Sequence, residues 1–271
     1  MSFATLQTAM SYMNMTFSRK LQQLALFSIV ALLITTCSGD DPEPGSNSNN
    51  NLNRGAVGSS ANDLLSSSSY NSLRVEIQYA AGFEPPQGSV NYLRNFLNQR
   101  LNKPGGITIT TTEVTAPDQG NYSLSDLRGI EDNSRTQFTN GSTLAVYFYF
   151  ADGNYSENEN VLGIAHRNTS MVLFQNRIEE LSGGPGQVST QMLTSTVMAH
   201  EFGHILGLVN LGSDMQTDHQ DEANGAHCDN ENCLMYYAVE SAGGISDLFG
   251  MSSPPELDAN CLADLAANGG K

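Results

Sequence analysis

Leu73 to Ala80 (LRVEIQYA) alternates apolar and polar residues with the two-residue period of a strand. Pro85-Pro86 breaks the chain. From Ser89, a cap residue, to about Leu101, the apolar positions Val90, Leu93, Phe96, Leu97 and Leu101 share one helix face, and Pro104-Gly105-Gly106 stops it. Ile107 to Val114 predicts a Thr-rich strand, and Ser125 to about Phe138 a second helix. Thr143 to Phe150 (TLAVYFYF) is a continuous apolar run, as in a central strand. Two short strands are expected at Leu162 to Ala165 and Ser170 to Phe174, then a Gly-rich loop at Gly183 to Gly186 and a long helix over Val188 to Leu208. The order β-α-β-α-β-β-β-α predicts an α+β fold: an α/β-like N-terminal part with a mixed sheet and helices packed on it, then a small irregular C-terminal part. There is no internal repeat.

Ahead of this region the pattern is different. Arg19-Lys20 precedes an apolar run from Leu24 to Ile34, too short to span a hydrocarbon core. A positive flank and a short apolar stretch predict a signal peptide over 1–36, with Met13 or Met15 as alternative starts. The run ends Leu33-Ile34-Thr35-Thr36-Cys37, which resembles the lipobox of bacterial lipoproteins, with Cys37 as the lipidated residue. The alternative is an ordinary signal peptide with Cys37 as a bystander. From 37 to 72 the chain is rich in Ser, Asn and Gly and reads as a flexible tether. Asp40-Asp41-Pro42-Glu43 resembles the export signal of surface lipoproteins in Bacteroidetes-type bacteria; a merely solvated linker is the other reading. The expectation is an exported outer-membrane lipoprotein, exposed at the cell surface and held to the membrane through Cys37.

The 271 residues carry 12 basic and 28 acidic side chains, a net −16. Without the segment that holds Arg19 and Lys20, ten basic residues face 28 acidic ones, a net −18. Such a charge repels phosphate backbones and excludes nucleic acid as a partner. Four cysteines are too few for a disulfide scaffold.

The long helix carries the chemistry. His200-Glu201-Phe202-Gly203-His204 sets two imidazoles four residues apart, one turn apart on one face, where both can reach one ion. Glu201 sits beside the first and can move the proton of a water at that ion. Gly207 follows the helix, where a left-handed cap can turn the chain back. HExxHxxG resembles the metzincin clan of zinc metallopeptidases. The position that most metzincins give to a third histidine is Asn210 here, a poor zinc ligand.

Further on, His227-Cys228, then Cys233 and Met235 resemble the archaemetzincin arrangement. The resemblance implies that His227 is the third ligand and Met235 the Met-turn residue beneath the zinc, with 209–226 an insertion. His219 is the rival third ligand. Archaemetzincins hold a second, structural zinc with a later CxxC. This chain has only Cys261 there, so a second metal is not expected. A Cys228–Cys233 disulfide is expected instead, or a pairing of Cys261 with either one.

Tyr237, two residues past Met235, stands where astacin-type metzincins place an oxyanion-supporting tyrosine; packing is its other role. The acidic loops at Asp152, Glu157 and Glu159, and at Asp214, Asp218, Asp221 and Glu222, offer oxygen ligands for calcium, with solvated loops as the default. His166 is expected to be an ordinary strand histidine, and Ser170 to Phe174 the edge strand that pairs with an extended substrate. Taken as a whole, the resemblance implies a monomeric zinc-dependent endopeptidase over 73–271, acting on proteins or peptides. The alternatives are a non-enzymatic surface lipoprotein, an adhesin or binding module with a zinc site, and a zinc amidase acting on cell-wall peptides.

Overall fold

The apolar run from Thr143 is the middle strand of a five-stranded sheet in a computed structural model that describes residues 51–117 and 119–271. In chain order the elements are α1 (Ala61–Leu65), β1 (Ser72–Ala80), α2 (Gln87–Arg100), β2 (Ile107–Val114), β3 (Asn121–Tyr122), α3 (Leu124–Ser134) and β4 (Thr143–Ala151). There follow β5 (Asn154–Tyr155), β6 (Gly163–Arg167), β7 (Ser170–Phe174), α4 (Gln175–Glu180) and α5 (Thr190–Ile205). Two 3-10 helices (Tyr237–Glu240 and Ala242–Leu248) and α6 (Ala259–Ala267) complete the chain. The main sheet has the order β2-β1-β4-β7-β6. Its first four strands run parallel, and β6 runs antiparallel to β7. This is the mixed α+β fold expected from the pattern.

Alternation along β4 buries both faces of the sheet. Leu144, Val146, Phe148 and Phe150 belong to the main core, which also holds Leu93, Phe96 and Leu97 of α2 and Leu193, Val197 and Phe202 of α5. Tyr147, Tyr149 and Ala151 point the other way, into a smaller cluster with Tyr122, Leu127, Val172 and Phe174. Helix α5 is buried throughout from Met192 to Ile205, so it has no polar face to lose. Its N-terminus is capped by Ser189, whose hydroxyl accepts the Met192 N–H at 3.1 Å.

Helix α3 ends at Ser134, four residues before the expected stop. Arg135 leaves the helix to fill a buried network. Its guanidinium donates to Glu131 Oε1 at 2.7 Å and to the Ala145 carbonyl at 3.0 Å. Glu131 also receives Arg167 at 3.0 Å and Ser170 Oγ at 2.6 Å. With both charges paired and bonded, the desolvation penalty is offset.

Three expectations need correction. Ser170 to Phe174 is not an edge strand: β7 lies between β4 and β6, and β6 is the edge. The flexible tether expected up to residue 72 stops earlier. Leu64 and Leu65 are fully buried in the main core, and Asn53 donates to Thr139 Oγ1, Thr169 Oγ1 and the Ala145 carbonyl, each at 3.0 Å. The buried Lys103 ammonium donates to the carbonyls of Asp63, Ser66 and Tyr70 and clasps this segment to the body. Composition concealed this, because the segment is held by a few polar contacts and two leucines rather than by an apolar stripe. Finally, the membrane and lipoprotein assignment is withdrawn. Among the described residues no helix is long and apolar enough to cross a membrane. The signal segment 1–36 and Cys37, on which the assignment rested, lie outside the described residues.

Leu65→Ala tests the docking of 51–72. Loss of a fully buried leucine is expected to lower stability by about 2–5 kcal/mol, read as a shift of the urea midpoint, whereas a solvated tether would show no shift.

Candidate metal centres

Helix pitch brings His200 and His204 together. Their Nε2 atoms are 3.2 Å apart, and the rings meet edge-on with centroids at 4.8 Å. After Ile205 the helix closes with two crossed bonds: Gly207 N–H to His204 O at 3.0 Å and Leu208 N–H to Gly203 O at 3.2 Å. This C-cap needs a left-handed residue, and Gly207 supplies it at φ 82°. Asn210 is also left-handed, at φ 61°, and its amide reaches toward Gln220 rather than the histidines.

The chain then returns as a narrow hairpin. Asp221 N–H donates to His227 O at 2.8 Å, and Asp229 N–H donates to His219 O at 2.9 Å. The return carries His227 to the helix pair, with its ring stacked on His200 at 5.3 Å and edge-on to His204 at 5.1 Å. His219 goes elsewhere. Of the two candidates for the third position, His227 is the one that joins His200 and His204.

A fourth donor completes the group. Glu240 Oε2 lies 3.4 Å from His200 Nε2 and 3.6 Å from His204 Nε2, and its Oε1 lies 3.4 Å from His227 Nε2. No motif signalled Glu240; it arrives from the 3-10 turn after Met235. The residues fit a divalent cation such as zinc. Zinc bonds of 2.0–2.1 Å in tetrahedral geometry put neighbouring donors about 3.3 Å apart, close to the spacings seen. Nδ1 of His200 donates to Leu234 O at 2.7 Å, and Nδ1 of His227 donates to Asn224 O at 2.7 Å. Each bond fixes the tautomer that leaves Nε2 as the donor toward the centre.

Electrostatics point the same way. Both Glu201 oxygens are buried without a hydrogen-bond partner. Burial, and then the charge of Glu240, push the Glu201 carboxyl well above the usual range. Burial drives the His204 imidazole down to about 4 despite Glu240. Burial raises the Glu240 carboxyl, but three imidazoles overcome that and hold it far below the usual range. An unpartnered buried carboxyl beside three converging imidazoles is a donor set that a divalent cation would satisfy. Met235 lies under the helix: its Sδ is 2.3 Å from where a Cβ on Gly203 would stand, so only glycine allows this approach. Tyr237 is 37% exposed, packs at a tilt against Tyr236 with ring centroids 4.7 Å apart and takes no part in the donor group.

A second group corrects the expectation of a disulfide. Cys228, Cys233 and Cys261 are free, buried thiols. His219 Nδ1 is 3.4 Å from Cys228 Sγ, and Cys233 Sγ is 3.6 Å from Cys261 Sγ. Cys228 S–H donates to Asp258 Oδ2 at 3.4 Å. His219, Cys228, Asp258 and Cys261 form the second donor group, with Cys233 beside it. His219 reaches this group from the hairpin and Cys261 from α6. Contacts from Cys228 and Cys261 lower the Cys233 thiol to about 4, the thiolate form that binds metals. His219 is oriented from behind by the buried Asp264, 2.8 Å from its Nε2.

The acidic loops gather no such group: the described residues hold only these two clusters of three or more converging donors. His166 is buried in β6 and pushed down to about 3 by burial and the neighbouring arginines.

No protein-family model matches this chain, and no curated protein matches it. Several solved structures are similar to it, among them the following two. Archaemetzincin from Methanopyrus kandleri is 15% identical, with 74% of this chain and 96% of that chain covered, at a TM-score of 0.47. Metalloproteinase-II from Bacteroides fragilis is 16% identical, with 74% of this chain but only 54% of that one covered, at a TM-score of 0.42.

Dialysis against zinc after chelator treatment is expected to load two ions per chain. His227→Ala should lose the imidazole-held ion and keep the thiol-held one, and His219→Ala the reverse. Thiolate-to-metal absorption with cobalt in place of zinc tells the two apart. An ion count unchanged in both variants would refute the assignment of either group.

Proposed function

We propose that the protein is a zinc-dependent peptidase. The observation that carries this reading is Glu201: a buried carboxylate with no partner, one residue from His200 in a cluster of three imidazoles. His200, His204 and His227 hold the ion in this proposal, and Met235 supports the helix from below. A zinc ion there supplies the Lewis acidity that polarises a peptide carbonyl and a water. Glu201 accepts the proton of the attacking water and delivers it to the leaving amine nitrogen. A purely structural site has no use for such a base.

The substrate class follows from the strand beside the base. A Cβ on Gly163, the first residue of β6, would stand 2.7 Å from Glu201 Oε1, so the edge strand starts against the carboxylate. An extended peptide laid along β6 by strand addition would bring its carbonyl to the histidine centre. The thiol group, His219, Cys228, Asp258 and Cys261, would hold a second, structural metal ion and takes no part in hydrolysis. In the second reading the protein keeps zinc without turnover. The presence of Glu240 where a substrate would approach favours that alternative.

Glu201→Ala separates the two readings. It is expected to bind zinc as the parent does and to lose casein hydrolysis by about 10²–10⁴-fold. Undiminished hydrolysis by the zinc-loaded variant would sink the mechanism. Absence of hydrolysis in both the zinc-loaded parent and a zinc-loaded Glu240→Gln variant would leave the non-enzymatic reading.

A further inference from the structure

The three histidines are nearly shut off from solvent, and Glu240 stands against all three on a more exposed segment. The side chains of His200, His204 and His227 are 0%, 9% and 10% exposed, whereas Glu240 is 26% exposed. Its two oxygens stand 3.4–3.6 Å from all three Nε2 atoms, near the donor spacing of a four-coordinate zinc. A catalytic zinc keeps its fourth position for water or substrate, and a structural one fills it with protein.

The segment that carries Glu240 also covers the approach to the edge strand. Leu162 N–H donates to Glu240 O, and Ala242 N–H donates to Asn160 O, each at 2.8 Å. Val161 and Ser241 form an antiparallel bridge. The segment therefore pairs with 160–162, immediately before β6, where an extended peptide would begin to pair. It is built from two 3-10 helices, whose hydrogen-bond geometry is poorer than that of an α-helix. Val239, Ile245 and Leu248 anchor it to the main core, while Tyr237, Phe249 and Met251 lie in solvent.

We propose that Glu240 is the fourth protein ligand of the histidine centre, and that residues 236–250 are a strap which must withdraw before a substrate reaches it. The second half rests on the peptidase reading; the first does not. The resting protein is closed by its own carboxylate. A peptide that pairs with β6 has to replace the bonds between the strap and 160–162, and its carbonyl has to take the place of Glu240.

The test uses the full chain with cobalt, then zinc, and azide as the probe for an open metal position. The parent should show no change in its cobalt absorption on addition of azide. Glu240→Gln keeps the size of the side chain but offers only a neutral amide, a weaker donor. It should bind azide, and its zinc affinity should fall by about tenfold or more. Circular dichroism in the near ultraviolet reports whether the variant is folded. The parent measurement stands without any variant: a parent that takes azide readily overturns the proposal. So does a folded Glu240→Gln with parental zinc affinity and no azide response. Casein hydrolysis keeps the two readings apart. A variant that binds azide and hydrolyses faster than the parent supports both. One that binds azide and hydrolyses nothing supports the ligand and removes the peptidase. A parent that hydrolyses well with an azide-accessible centre keeps the peptidase and removes the strap.

Discussion

Three imidazoles and the buried Glu201 carboxyl meet at one point under a half-buried Glu240, and a protein interior tolerates that only where protons or a cation neutralise the group. A carboxylate taken out of water without a partner is destabilising by several kcal/mol, about the size of a domain's whole stability margin. Here Glu201 is fully buried with both oxygens unpartnered, and the three Nε2 atoms face Glu240. The surrounding structure is arranged to keep that point fixed. Helix α5 is buried on every side from Met192 on, and Phe202 packs on Phe148 of the central strand, ring centres 6.1 Å apart. The helix cannot roll to expose its histidines without opening the main core.

What the helix cannot supply comes from the loop behind it, and the thiol group shapes that loop. His227 and Cys228 are neighbours on the return arm of the hairpin, and their side chains go to different donor groups. One goes to the histidine centre and the other to the thiols. Cys228 N–H donates to Met235 O at 2.8 Å, and Met235 N–H donates to Cys233 Sγ at 3.4 Å. The residue beneath the helix is thus held by the backbone and sulfur of the second group. A divalent ion among the thiols would fix His227 and Met235 at once, the outer support that metal ligands need to keep their geometry.

Local geometry decided what could be read from the sequence. Helix pitch alone relates His200, Glu201 and His204, so those residues were legible. Every strand of the main sheet was legible as well, because each is short and strongly patterned. His227 was legible only through its spacing to Cys228, Cys233 and Met235. Glu240 was not, because an acidic residue five positions past Met235 has no periodic neighbour, and only the tertiary turn brings it to the histidines. Cys261 and His219 were misjudged for a related reason. Their partners, Cys233 and Asp264, lie 28 and 45 residues away. The edge strand was misassigned although a signal was present. Ser170-Met171-Val172-Leu173-Phe174 is buried throughout, as an interior strand must be, while Gly163-Ile164-Ala165-His166-Arg167 is only partly buried. The N-terminal segment was misread because composition sees polar residues and not their partners. Asn53 makes three bonds to the body that no local pattern could announce.

The two donor groups differ in a way that bears on function. Around the thiols every supporting contact leads inward: Asp264 is fully buried behind His219, and Asp258 both caps α6 and accepts from Cys228 and Asn230. Nothing there could leave without unravelling the C-terminal helix. Around the histidines, three donors are backed by a buried helix and a braced hairpin, while the fourth rides on 3-10 turns tied to 160–162 by two backbone bonds and to the main core by Val239, Ile245 and Leu248. Local opening starts at the less firmly hydrogen-bonded, more exposed elements, and Glu240 is the most exposed of the four donors. If any donor gives way, it is Glu240, and the space it vacates adjoins the base Glu201 and the free edge of β6. The difference in anchoring is what distinguishes a centre built to stay closed from one that can be opened.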